Sequence, residues 1–265
     1  MPLALRRQGR KHQKRGEGCR CASCECLICF RASEDFSLGL ERTGGFETVA
    51  FCEIEDYPRR VLAKYWPGIP IYDDVRTLTA DALRRDGIAV DVICGGFPCQ
   101  DISVDGDGAG ITGPRSGLWF EYARLVGELR PRFVVVENVA ELLARGLGEV
   151  VGSLAAIGYD AEWNCIRASR VGLPHHRDRL WLVAYPDGER LQGRLPDWPI
   201  VRAETFPLDP IPHEVSARFI THGHDGLPRS VVRSQGAVKA LGNAVVPEIP
   251  YRIGRAILKA EGLAA

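Results

Sequence analysis

The most constraining feature of the chain is an apolar run, Val90-Asp-Val-Ile-Cys94, that stops on Gly95-Gly96 and continues as Phe97-Pro-Cys-Gln100. A β-branched run ending on two glycines reads as a buried strand feeding a tight loop. Further apolar runs read as strands are Thr48-Val-Ala-Phe-Cys-Glu53, Phe133-Val-Val-Val-Glu137 and Leu180-Trp-Leu-Val-Ala184, with Ile71-Tyr-Asp-Asp-Val75 as a shorter, edge-like strand. Helical spacing lies between these runs. Phe36 to Arg42 closes on Thr43-Gly-Gly45, Tyr57 to Trp66 stops at Pro67-Gly68, Trp119 to Leu129 ends before Pro131, and Val150 to Ile157 is capped by Gly158. A last amphipathic helix, Ile249 to Leu258, can close the sheet. Strands alternating with helices predict an α/β fold with a mostly parallel sheet covered on both faces.

In such a sheet, ligands bind and chemistry occurs at the carboxyl ends of the strands. Cys99 sits there behind Pro98, whose ring fixes the backbone, and is a candidate nucleophile. The competing reading is a buried core cysteine. At 265 residues and 45% hydrophobic content the chain can bury a real core as one large domain, with or without an appendage. No apolar run approaches the ~20 residues of a membrane span, and the start lacks an apolar signal core, so the expected location is cytoplasmic. Of nine cysteines, five crowd between Cys19 and Cys29, and the others are scattered as in a reduced intracellular enzyme. The formal net charge is zero, so nucleic-acid binding must come from local patches.

Two regions depart from the regular pattern. Residues 1–35 join a basic run (Arg6, Arg7, Arg10, Lys11, Lys14, Arg15) to the cysteine cluster. Cys21-x-x-Cys24 has ligand spacing, but no second pair follows at a loop-closing distance, so no metal site is expected and the segment reads as disordered. Residues 187–239 are proline-rich, weakly periodic and dotted with arginines, which marks an irregular insert.

Pro98-Cys99-Gln100, Glu137-Asn138-Val139, Gly172-Leu-Pro-His-His-Arg-Asp-Arg179 and Gly242-Asn-Ala-Val-Val-Pro247 occur in that order. The set resembles the DNA cytosine-5 methyltransferases of bacterial and phage type, over about residues 36–186 and 240–258. The resemblance implies a Rossmann-like, S-adenosyl-L-methionine-dependent catalytic domain (36–186). It also implies a target recognition region (187–239) and a segment returning to the catalytic domain (240–265). The implied reaction is methyl transfer to C5 of a cytosine flipped out of double-stranded DNA. By resemblance Cys99 adds to C6 of the base, Glu137 addresses N3 and the exocyclic amine, and Arg177 and Arg179 hold the O2 side. Pro98, Gln100 and Asn138 are the expected substrate contacts. For the cofactor, Glu53 would bind the ribose, Ile54 would lie against adenine and Asp74 with Val75 would read its edge. Leu118 and Asn243 would meet the methionine end, and the loop from Asp101 to Pro114 would act as a lid. A monomer acting on DNA, away from membranes, is expected. Two alternatives stand beside this reading. One is the tRNA-methylating branch, whose Cys-Phe-Thr signature is not found here. The other is an inactive DNA-binding relic.

The resemblance fails at one place. The family opens with a strand and a glycine-rich turn of the type Asp-Leu-Phe-x-Gly-x-Gly-Gly, whereas this chain has Glu25-Cys-Leu-Ile-Cys-Phe-Arg-Ala-Ser-Glu-Asp35. The first strand is therefore expected to be absent and cofactor binding weak. Codons permitted for Glu25 to Phe36, read from the third base, give Val-Leu-Asp-Leu-Phe-Pro-Gly-Ile-Gly-Gly-Phe, as an out-of-frame translation would. A smaller departure is His175 where the family has Gln.

Overall fold

The computed structural model describes residues 23–30, 33–99, 117–171, 178–188 and 245–263. Its described strands form one seven-stranded sheet. They are β1 (Cys24–Phe30), β2 (Phe46–Cys52), β3 (Ile71–Tyr72), β4 (Val92–Gly96), β5 (Phe133–Val139), β6 (Tyr159–Arg167) and β7 (Asp178–Pro186), in the order β3-β2-β1-β4-β5-β7-β6. β3, β2, β1, β4 and β5 run parallel, and β7 pairs antiparallel with both β5 and the edge strand β6. The order reverses between β1 and β4, so their carboxyl ends open the crevice where such sheets bind ligands.

Helices cover both faces. On one side α1 (Ser33–Glu41), α2 (Asp56–Tyr65) and the closing helix α7 (Glu248–Ala260) pack over Cys24, Cys26, Ile28, Phe51, Cys94, Val135 and Val183. On the other, α3 (Ala80–Arg85), α4 (Leu118–Leu129), α5 (Leu142–Arg145) and α6 (Leu147–Ala156) cover Leu27, Cys29, Ile93, Val134, Val136 and Leu182. Each strand thus divides its side chains between two cores by simple alternation, which is why the runs read as continuously apolar. The helices at Tyr57, Trp119, Val150 and Ile249, and the strands at Thr48, Val90, Phe133 and Leu180, fall where their patterns placed them. β6, α3 and α5 carry no expectation from the pattern.

The expected absence of the first strand is corrected. Cys24–Phe30 is a buried strand at the centre of the sheet, in parallel register with β2 (Cys29↔Cys52) and with β4 (Cys29↔Gly95, Phe30↔Gly96). Disorder is likewise overturned for residues 24–30 and 33–35. Cysteine packs as a small hydrophobe, and Cys24, Cys26, Leu27, Ile28 and Cys29 are all buried. The strand entry is fixed by Asp91, whose carboxylate accepts from the Glu25 amide at 3.0 Å. Cys19 and Cys21, and with them the CxxC spacing, lie outside the described residues.

Gly95 shows how closely β1 and β4 approach. A Cβ built there would stand 2.4 Å from the Cys29 carbonyl oxygen, so no larger residue fits without moving the strands. Gly39 does the same between α1 and the start of α7, where a Cβ would lie 2.4 Å from the Pro247 carbonyl oxygen.

Candidate active site

The loop that carries Cys99 leaves β4 at Phe97, directly beside the end of β1. It rests on an aromatic ladder. Phe97 lies 5.3 Å from Trp119, Trp119 5.6 Å from Tyr122, and Tyr122 5.8 Å from Phe30, all centroid to centroid. Trp119 is held in turn by its indole N–H, which donates to Ser153 Oγ at 2.7 Å. Two aromatic residues three apart on α4 therefore support both the nucleophile loop and the end of β1. The spacing of Trp119 and Tyr122 was the sequence signal for this support.

Cys99 is partly exposed, whereas Cys29, Cys52 and Cys94 at the same end of the sheet are buried. Burial pushes the Cys94 and Cys29 thiols well above their ordinary range, which keeps them protonated and inert. A thiol on an accessible loop is the one of this group that can meet a substrate.

Glu137 and Asn138 end β5, and Arg179 begins β7. The antiparallel register pairs Val139 with Arg179 and Glu137 with Trp181. Side chains two apart share a face of the sheet, so Arg179 falls diagonally across from Glu137. Arg179 Nε reaches Glu137 Oε1 at 3.0 Å, with both side chains largely buried, and Arg179 Nη1 donates to the Asp178 carbonyl at 2.8 Å. One carboxylate and one guanidinium are therefore paired where β5 ends and β7 begins, next to the strand whose end carries the Cys99 loop.

Asn138, expected as a substrate contact, makes its described hydrogen bonds within the protein. It is 2% exposed, its Nδ2 donates to the Phe97 carbonyl at 3.1 Å, and its Oδ1 accepts from the Val139 amide at 2.8 Å. The side chain is committed within the protein and ties the nucleophile loop to β5. Pro98 belongs to that loop. Gln100, Arg177, Asn243 and the glycine-rich lid lie outside the described residues.

At the neighbouring strand end, Glu53 is buried, and its Oε1 accepts from the Glu55 amide at 2.8 Å. Its backbone carbonyl accepts from Arg59 Nη1 at 3.0 Å. Ile54 beside it is 59% exposed, the most solvent-open large apolar residue among those described. A buried acid next to an open apolar side chain suits a nucleoside, with hydroxyls on one and a flat base against the other. Asp74 accepts from Arg76 through Nε and Nη2 and from the Arg76 amide, and this guanidinium holds its carboxyl below the ordinary range. Val75 is buried, so only its backbone can address a ligand. Arg124 fixes that backbone, donating to the carbonyls of Val75 at 2.8 Å and Leu78 at 3.0 Å while pairing with Glu121 and Glu128. Leu118 opens α4 at the edge of this region.

Asp35 was hidden inside the segment set aside as aberrant. It is buried, and its Oδ2 accepts from the Val245 amide at 2.7 Å, linking the first turn of α1 to the segment that precedes α7. The turn from β1 to α1 is where the residues do not fit a nucleotide-type cofactor. No glycine occurs between Gly18 and Gly39, and the first turn of α1 carries Glu34 and Asp35. Glycine lets backbone amides approach an anionic group at a helix start; acidic side chains oppose it.

The family model for C-5 cytosine-specific DNA methylase matches residues 29–216, beginning inside β1. The Type II methyltransferase M2.BsuMI of Bacillus subtilis is 34% identical over 155 residues, covering 56% of this chain and 38% of that protein. M1.HphI of Haemophilus parahaemolyticus is 32% identical over 178 residues, covering 63% of this chain and 47% of its own length. The chain thus spans less than half the length of these relatives. Among solved structures, the S. pombe Dnmt2 methyltransferase superposes with a TM-score of 0.60 at 15% identity, covering 91% of this chain and 99% of its own. Spodoptera frugiperda DNMT2 gives 0.53 at 19% identity, over 63% of this chain and 51% of its own. At those identities the likeness is one of fold, the Rossmann-like fold of methyltransferases. The family model covers well over half of the residues, and the chain belongs to the C-5 cytosine-specific DNA methylase family.

Proposed function

We propose that the carboxyl ends of β4 and β5, with the amino end of the antiparallel β7, form the cytosine pocket of a DNA (cytosine-5-)-methyltransferase, with S-adenosyl-L-methionine as the methyl source. The observation that carries this reading is the Glu137–Arg179 pair at 3.0 Å, beside a cysteine loop tied to the same strand by Asn138. C5 of cytosine is too poor in electrons to attack a methyl group unaided. The Cys99 thiolate adds to C6, and the new S–C bond leaves C5 with enamine character. Glu137 hydrogen-bonds N3 and the amine, where charge develops, and Arg179 holds that carboxylate in place while facing the O2 side. C5 then takes the methyl group, loses its hydrogen as a proton to a base, and the S–C6 bond breaks to release Cys99. The base must leave the duplex for this, so the substrate is a flipped cytosine. Glu53 and Ile54 are the residues that would hold the adenosine of the cofactor, which supplies the electrophilic methyl when bound.

The same addition gives a test that needs no methyl donor. Once Cys99 has added, C5 can take a solvent proton and lose its own hydrogen on reversal. DNA carrying tritium at C5 of cytosine should therefore release it to water when incubated with the protein, and Cys99→Ala should stop the release. Release that persists in Cys99→Ala, or DNA binding with no release in the parent chain, would sink the nucleophile assignment.

A further inference from the structure

We infer that positions 25–35 are the coding sequence of a glycine-rich cofactor turn read one base out of register, so that this chain carries an acidic helix start where the charged end of the cofactor belongs. The inference rests on the cofactor reading above and on three observations made from different evidence.

The first is the fate of the strand. In the genetic code, Phe, Leu, Ile, Met and Val have T as the middle base of the codon. A shift that moves that base to the first position yields Cys, Phe or Leu when G or T follows it, as it must here. Displaced Val-Leu, then Leu-Phe, become Cys26-Leu27 and Cys29-Phe30, while an intervening Asp codon, GAT, becomes Ile28. This explains why a segment that looks foreign still forms the central strand. Its residues remain apolar, and burial against two faces asks for little else.

The second is the fate of the turn. The glycine codons GGC and GGA, shifted by the same step, begin GC and GA and encode Ala and Glu or Asp. Ala32, Glu34 and Asp35 stand where the displaced reading has its three glycines, and Arg31 and Ser33 stand where it has Pro and Ile. The frame rejoins at Phe36 if one T is removed from the run shared by the Asp35 and Phe36 codons. The motifs that resemble the family all lie after Phe36, from Pro98-Cys99-Gln100 onward.

The third is the backbone. Phe30, the last residue of β1, has φ +66°, a conformation that a bulky residue adopts only under constraint. The chain must turn sharply there, and the glycines that would absorb the turn are gone. Glu34 enters the first turn of α1 partly buried, and its burial raises the carboxyl's pKa, as expected of an acid in a place not built for one. A shifted frame preserves hydrophobicity and destroys glycine, so it leaves the fold and removes the ligand.

Two measurements test this. The coding DNA must have Arg31 and Ser33 codons ending in G, GAG at Glu34, and a T-run at Asp35–Phe36; GAA at Glu34 alone would overturn the displacement. The full chain and a version carrying the displaced reading at positions 25–35 are then titrated with S-adenosyl-L-methionine by calorimetry. The repaired chain should bind about 100-fold or more tightly, given the loss of amide and helix-start contacts to an anion. Equal affinity in both would overturn the functional claim. If neither binds while the codons fit, the displacement stands and the cofactor assignment falls.

Discussion

β1 and β4 lie side by side and deliver their carboxyl ends to the same crevice, yet the two turns that follow them differ. β4 leads into Gly95-Gly96-Phe97-Pro98-Cys99, whose carbonyl at Phe97 is caught by Asn138 and whose ring rests on Trp119. β1 leads into Arg31-Ala-Ser-Glu-Asp35, with Phe30 in a left-handed conformation and two acids opening the helix. Both strands are largely buried, β4 throughout and β1 at all but Glu25 and Phe30. The difference shows that a strand needs only a composition, whereas a turn that receives a ligand needs named residues at named positions. A sheet can therefore be intact beside a site that is half built.

The largest effect should come from the intact turn. Cys99→Ala should abolish tritium release from C5-labelled DNA while leaving the thermal unfolding curve in place, because Cys99 is partly exposed and contributes little core. If release survived, the two turns would be equally non-functional and the comparison would break. Next, Gly95→Val should destabilise the fold by about 3 kcal/mol or more in urea titration, since its Cβ would meet the Cys29 carbonyl at 2.4 Å. Asn138→Asp keeps the acceptor for Val139 and removes the donor to Phe97. It should slow tritium release roughly 10–100-fold, with DNA affinity unchanged, as a displaced nucleophile loop would. A parallel loss of DNA affinity would instead make Asn138 a substrate contact.

Substitutions in β1 should do least. Cys26→Val and Cys29→Ala, both fully buried, should change stability by about 1.5 kcal/mol or less, because the strand tolerates any small apolar set. Smallest of all is Glu34→Gln. Burial raises this carboxyl's pKa above its ordinary 4.5, so its stabilising contribution is complete below pH 4.5 and is lost as pH rises through the folded value. The glutamine variant should lack that loss, flattening the stability profile just above pH 4.5. A variant with the same profile as the parent would show that Glu34 is not strained in its place.

The legible parts of the fold were those written in β-branched residues. Val90 to Cys94, Phe133 to Glu137 and Leu180 to Ala184 declared buried strands, and the motifs at their ends named Cys99, Glu137 and Arg179. β1 was missed because cysteine carries weak strand propensity in a reader's eye and no glycine followed it, although thiols pack as well as methyls. β6 was missed because it is an edge strand with its polar residues mixed in, so its alternation is blurred. The Glu137–Arg179 partnership depends on β7 running antiparallel to β5, a direction that no local pattern encodes. Asp35 was illegible for a related reason, since its partner lies 210 residues away.

That separation bears on how the molecule is made. The face of the sheet beneath α1 is completed by α7, which is synthesised long after α1. At ~5–20 residues per second, about 10–40 s pass between the synthesis of Asp35 and that of Val245. During this interval α1 and α2 alone can cover the face that carries Cys24, Cys26, Ile28, Phe51 and Cys94. Three of those five are thiols open to oxidation or alkylation wherever that partial cover leaves them accessible, and the cover is completed when α7 docks. Reducing conditions during synthesis, more than in the finished protein, should decide how much of it reaches the native state.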